Sequence, residues 1–150
     1  MSNGIDTDGE SQITLTRIIE ADLEDVFAAW TDPALIEQWQ ADYAEVDPFE
    51  GGDYKFVTEG DDDDPGEHIV SGEFLQFVEN ERLVMSWVHK DDDSGDELIF
   101  VLDIAFKAVG DGRTSITIVE RGVAHADPQS RIFSIEAWNG ALEQLAELME

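Results

Sequence analysis

The chain has 150 residues and no cysteine. That excludes a disulfide framework, thiol catalysis, iron–sulfur clusters and every cysteine-bearing zinc site. Basic residues are scarce: Lys and Arg total 8 against 36 Asp and Glu, a formal net charge of −28. A nucleic-acid partner needs a basic footprint, so none is expected, and the same sign disfavours anionic membranes. No run of ~18 apolar residues exists, so no membrane span is expected. Met1-Ser2-Asn3-Gly4-Ile5-Asp6 lacks the basic and apolar segments of a secretory leader, and a cytoplasmic location is expected. No G-x-S-x-G elbow, Walker loop or dinucleotide fingerprint occurs, so nothing points to an enzyme.

What is there is enough to fold. Hydrophobic residues make up 42% of the chain, well above the composition of a disordered acidic protein. The carboxylates run from Asp6 to Glu150 rather than gathering in one patch. A dispersed coat of this kind fits adaptation to concentrated salt, which screens self-repulsion, better than a dedicated basic partner.

Residues 1–11 are polar with two glycines and read as a flexible acidic tail, leaving 12–150 as the folded domain. Residues 12–20 place Ile13, Leu15, Ile18 and Ile19 among threonines, an imperfectly alternating strand. Leu23, Val26, Phe27 and Trp30 then share one helix face, with Asp22 as cap. Asp32-Pro33 opens a second short helix whose buried side is Leu35, Ile36 and Trp39. Further strands are expected at 43–46, 54–59, 67–78, 82–89, 97–107 and 114–120. In the fifth of these, Leu98, Phe100, Leu102, Ile104 and Phe106 fall at every second position and point to one face. Residues 61–66 and 91–95 read as hairpin tips, so the strands form an antiparallel meander. Asp127-Pro128 starts a long last helix with the stripe Ile135, Trp138, Leu142, Leu145 and Met149.

An apolar sheet face and an apolar helix stripe bury each other, which gives a two-layer α+β domain. A twisted sheet around one helix leaves a hollow, a place where small-molecule sites form.

Several strings in this order resemble the activator-homologue family of the ninety-kilodalton heat-shock chaperone ATPase, in the START-like, helix-grip superfamily. They are Ile19-Glu20-Ala21, Val26 to Pro33 with Leu35 and Trp39, Gly51 to Phe56, Ser71 to Leu75, Glu81 to Trp87, and Trp138 with Leu142, Leu145 and Leu148. The resemblance covers roughly residues 13–149. It departs at Gln40, where the family often has a second tryptophan, and at Ala137, where it usually has glycine; both changes bear on the shape of a cavity. The resemblance implies a helix-grip domain whose twisted antiparallel sheet wraps a long C-terminal helix. It leaves function open among ligand carriers, chaperone regulators and cyclases or hydrolases.

The favoured reading is binding of a small hydrophobic or amphipathic ligand between the sheet and the last helix, without catalysis. The alternatives are a chaperone-regulator-type interaction module and, third, a cyclase or hydrolase. Candidate ligand-binding residues are Trp87, Phe100, Leu102, Ile118, Trp138 and Leu142, with Glu73 as a mid-strand carboxylate. Glu120-Arg121 reads as a surface charge pair. His68, His89 and His125 lack metal spacing, and the aspartate runs fail a calcium-loop register at positions 5, 6 or 12. No cofactor and no metal are expected, and a monomer or weak homodimer is.

Overall fold

The computed structural model describes residues 12–59, 68–91, 97–122 and 127–150. The expected tail, residues 61–66 and 92–95 of the two expected hairpin tips, His125, and the side chain of Leu98 lie outside the described residues. Along the chain run β1 (Gln12–Ile19), α1 (Leu23–Thr31), α2 (Pro33–Trp39), β2 (Tyr43–Val46) and β3 (Asp53–Thr58). They are followed by β4 (His68–Val78), β5 (Arg82–Asp91), β6 (Glu97–Gly110), β7 (Arg113–Arg121) and α3 (Pro128–Met149). The strands make one antiparallel sheet in the order β1-β7-β6-β5-β4-β3-β2. The expected meander is therefore β2 to β7, with β1 returning beside β7.

The helix starts follow local chemistry. Asp32 caps α2 by accepting from the Ala34 N–H at 3.0 Å, and Asp127 caps α3 by accepting from Gln129 N–H at 3.0 Å, each with proline next. Asp22 occupies the cap position of α1, but its side chain accepts no cap bond.

Period-two alternation puts Phe100, Leu102, Ile104 and Phe106 of β6 on the inner face beside Ile116 and Ile118 of β7. The imperfect pattern of β1 has a cause. Ile13, Leu15 and Ile19 point inward, Ile18 is exposed, and the inward position between Leu15 and Ile19 is taken by Arg17. Its guanidinium reaches Glu143 of α3 at 2.8 Å. The outer face carries its own polar row: Arg82 of β5 pairs with Asp103 of β6, which also lies 3.9 Å from Arg121 of β7, and Arg121 donates to Gln12 of β1.

Tyr54 of β3 is buried, and its hydroxyl crosses β4 to donate to the Ser86 carbonyl of β5 at 2.5 Å. Burial pushes its phenol well above the ordinary value of 10.0. Above pH 10 the unfolded chain releases this proton while the folded chain keeps it. The unfolded state then binds fewer protons, so stability falls as pH rises, by up to about 1.4 kcal/mol per pH unit from this group. Denaturant titrations from pH 9 to pH 11 should show that slope, and Tyr54→Phe should flatten it. An equal slope in the variant would contradict the assignment.

Candidate functional site

The last helix is split by its own sequence. From Trp138 onward the helix buries the large side chains Trp138, Leu142 and Leu145, with Ala146 beside them. Arg17–Glu143 and a bond from the Glu20 N–H to a Glu150 carboxylate oxygen at 3.0 Å fasten this half to β1 and the turn after it. Before Trp138, the positions that face the sheet are Ser130, Ser134 and Ala137, with Ala141 just beyond. Small side chains cannot fill the space that the twist of the sheet opens, so a hollow remains.

That hollow has a volume of about 250 Å³. Its sheet wall is Val70 of β4, Trp87 and His89 of β5, Phe100 of β6 and Glu120 of β7. These are one cross-strand row, because Val70 pairs with His89, Trp87 with Phe100, and Glu120 with Leu102 next along β6. Phe133 of α3, 73% exposed, stands at the mouth, and Gln40 closes the side toward α2. Phe100 lies tight against Gly122: a Cβ there would fall 2.5 Å from a Phe100 ring carbon and 2.8 Å from the Ile99 carbonyl oxygen.

The wall is strongly aromatic. Trp87 and Trp138 lie 5.5 Å apart between ring centroids, Trp138 stacks on Trp30 at 5.9 Å, and Trp30 meets Trp39 edge-on at 4.9 Å. All four tryptophans thus form one contiguous row from the cavity to α2. The Trp39 indole N–H donates to the Ala29 carbonyl at 2.9 Å, and that of Trp30 is buried without a partner among the described residues.

Glu120 is the principal correction to the sequence reading. It is only 3% exposed, and the Trp138 indole N–H donates to its carboxylate at 2.9 Å. Thr114, Ile116, Ile118 and Glu120 occupy alternate positions of β7 and all point inward, while Arg121 points out. Extending the alternation of Ile116 and Ile118 by two residues would have found it.

Of the sequence candidates, Trp87, Phe100 and Trp138 come together on the cavity wall. Leu102, Ile118 and Leu142 are fully buried in the adjoining core and do not line the cavity. Glu73 is exposed on β4, outside the lining set, and its backbone N–H donates to Ser86 Oγ at 2.9 Å. Ile135, expected on the buried stripe, is 36% exposed near the start of α3. Gln40 and Ala137, the two departures from the family pattern, both line the cavity. Among the described residues no group of three His, Asp or Glu side chains is placed to hold a metal, and no helix is long and apolar enough to cross a membrane.

A seven-stranded antiparallel sheet that grips a long C-terminal helix across a cavity, with two short helices after the first strand, defines a START-like helix-grip domain. The sequence model of the family described as "Activator of Hsp90 ATPase homolog 1-like protein" matches residues 20–150, and the chain belongs to that family. Among solved structures, protein CV1439 from Chromobacterium violaceum is 27% identical, with a TM-score of 0.75 over 93% of this chain and 97% of that one. CalU16 from Micromonospora echinospora is 21% identical, with a TM-score of 0.70 over 93% and 76%. DynU16, from the dynemicin biosynthetic locus, is 16% identical with a TM-score of 0.74; the match takes in 91% of this chain but 46% of that protein. No functionally curated protein matches the chain.

Proposed function

We propose that the protein binds one small, largely apolar ligand between its sheet and α3, without carrying out a reaction on it. The observation that carries this reading is the cavity of about 250 Å³, walled by Val70, Trp87, Phe100, Phe133 and Trp138 with the buried Glu120 at its edge. Its size is near the lower end of small-molecule sites, and its composition, an apolar wall with a few polar groups, is theirs.

A neutral probe tests this. N-phenyl-1-naphthylamine, uncharged at neutral pH, should bind at one saturable site and quench tryptophan emission, since Trp87 and Trp138 form the wall. Ala141→Phe fills the cavity from the helix side and should weaken binding by about tenfold or more while the far-ultraviolet spectrum stays unchanged. Binding that is non-saturable, or equal in the variant, would overturn the reading.

A chaperone-regulator role is the second reading. Beyond family membership, it is favoured by Ile132 and Ile135, 51% and 36% exposed on the flank of α3 turned away from the cavity. Under this reading Ile132→Ser with Ile135→Ser should abolish stimulation of the chaperone's ATPase and leave probe binding intact.

A further inference from the structure

We infer that the cavity selects a neutral ring compound carrying a cis-amide edge, a carbonyl with an N–H beside it, and that Gln40 is the residue that reads this edge. The inference rests on the ligand-binding reading above and deepens it. Several polar groups of the described lining already have partners within the protein. Glu120 takes the Trp138 indole N–H, His89 stacks on His68 with 5.6 Å between ring centroids, and Ser130 is likewise engaged. A ligand is recognised by the polar groups that remain. These are the side-chain amide of Gln40, the indole N–H of Trp87 and the hydroxyl of Ser134, none of which has a hydrogen-bond partner among the described residues.

Local structure holds Gln40 in place without using its side chain. It caps the C-terminal end of α2, where its backbone N–H donates to the Ile36 carbonyl at 2.8 Å. Its neighbour Trp39 is buried and tied to the Ala29 carbonyl. The partly buried amide is therefore presented at the α2 side of the cavity with its hydrogen-bonding capacity unspent.

A glutamine amide offers an acceptor oxygen and a donor NH₂ side by side. Its complement is a group with a carbonyl and an N–H on the same edge, so that two hydrogen bonds form together. Lactams and primary carboxamides have that edge, whereas open-chain secondary amides are trans and do not. A carboxylic acid has it only when protonated, and with a pKa of about 4 it is ionised at neutral pH. An ion would exchange its hydration for neutral partners at these groups, which is unfavourable. An alcohol or a ketone uses half of the glutamine amide and leaves the other half unpaired. The Trp87 N–H and the Ser134 hydroxyl are further donors for a carbonyl, and the rings of Trp87, Phe100, Phe133 and Trp138 cover the apolar body.

The test compares two isomers, 4-methyl-2-quinolinone and 1-methyl-2-quinolinone. They share rings, carbonyl and composition, but in the second the methyl group replaces the amide hydrogen. Binding is read by calorimetry and by displacement of N-phenyl-1-naphthylamine. The N–H isomer should bind about tenfold tighter. Gln40→Met keeps the length of the side chain and removes both halves of the amide. It should bring the isomers to within about twofold of each other and leave N-phenyl-1-naphthylamine binding within about twofold of the parent. Gln40→Ala gives the same reading if the methionine variant does not fold. Equal binding of the isomers by the parent protein would overturn the inference, as would an N–H preference that survives the loss of the glutamine amide. Failure of N-phenyl-1-naphthylamine to bind the parent at all would instead sink the ligand-binding reading itself.

Discussion

Gly72→Ala should destabilise the protein by about 3 kcal/mol, a large share of the ~5–15 kcal/mol that holds a domain of this size together. A Cβ on Gly72 would lie 1.9 Å from the Ser86 carbonyl oxygen and 2.7 Å from Ser86 Oγ. Neither atom can yield cheaply. The carbonyl accepts the Tyr54 hydroxyl, and Oγ accepts the Glu73 N–H. Gly72 also pairs with Tyr54 across β3 and β4, so its missing side chain leaves the gap through which the Tyr54 hydroxyl reaches β5. The ladder between β4 and β5 is already irregular here, with a register shift between Phe74 and Gln76. A methyl group would push β4 from β5 and cost the tyrosine bond, and it would disturb the packing of Tyr54 on Trp87, whose rings lie 6.0 Å apart. Melting temperature should fall by roughly 10 °C. Gly140→Ala is the matched control: a Cβ there meets nothing within 4 Å, and the site is in the interior of α3. It should raise stability by about 0.5–1 kcal/mol, because glycine is a poor helix former. Two glycine-to-alanine changes with the same sign would refute the close-approach account.

Most of the fold was legible because it is written in local rules. Asp32-Pro33 and Asp127-Pro128 announce helix starts with a side-chain acceptor followed by a residue that needs no donor. The five-residue alternation of β6 leaves no helical reading. The register shift between Phe74 and Gln76 was not legible, since it depends on how β4 is set against β5, and neither was the placing of Arg17 at an inward position of β1, since its partner Glu143 lies far off on α3. The site was legible in part. Trp87 and Trp138 stand out by size. Large residues mark where a cavity has walls, but a cavity exists where residues are small, and Ser130, Ser134, Ala137 and Ala141 send no signal until the helix is set against the sheet. Glu120 was misread for a different reason. Its neighbour Arg121 offers an obvious partner in the sequence, but adjacent residues on a strand point to opposite faces. The actual partners, Trp138 for Glu120 and Gln12 for Arg121, are 18 and 109 positions away.

Potassium chloride should raise the melting temperature steeply, from low millimolar concentration to beyond 1 M. Two like charges ~8 Å apart in water repel by about 0.5 kcal/mol, a trivial amount for one pair. Here 36 acidic groups face 8 basic ones. Among the described residues, the ion pairs of Arg17, Arg82 and Arg121 go to Glu143 and Asp103, and 8 basic groups in all can neutralise only a minority of 36 anions. Other carboxylates sit near one another by construction. Asp42 accepts from the Glu59 N–H at 2.8 Å at one end of β3, and Glu37 and Glu45 both act on Tyr43, raising its phenol above the ordinary value. Folding brings such groups onto one compact surface, so repulsion weighs on the native state more than on the open chain. Salt shortens the screening length from ~8 Å at physiological ionic strength to ~3 Å at 1 M, and most of these pairs then cease to interact. The apolar core from Ile13 to Ala146 owes nothing to charge and loses nothing. The gain is therefore the sum of many small terms, several kcal/mol against a total of ~5–15, enough to decide whether the chain is folded in dilute buffer. Replacing potassium chloride with sucrose at equal osmolality separates the causes, because sucrose strengthens burial without screening charge. If the coat is an adaptation to concentrated salt, sucrose should reproduce only a small part of the rise. A flat salt profile, or equal effects of the two solutes, would leave the carboxylates to be explained by a basic partner.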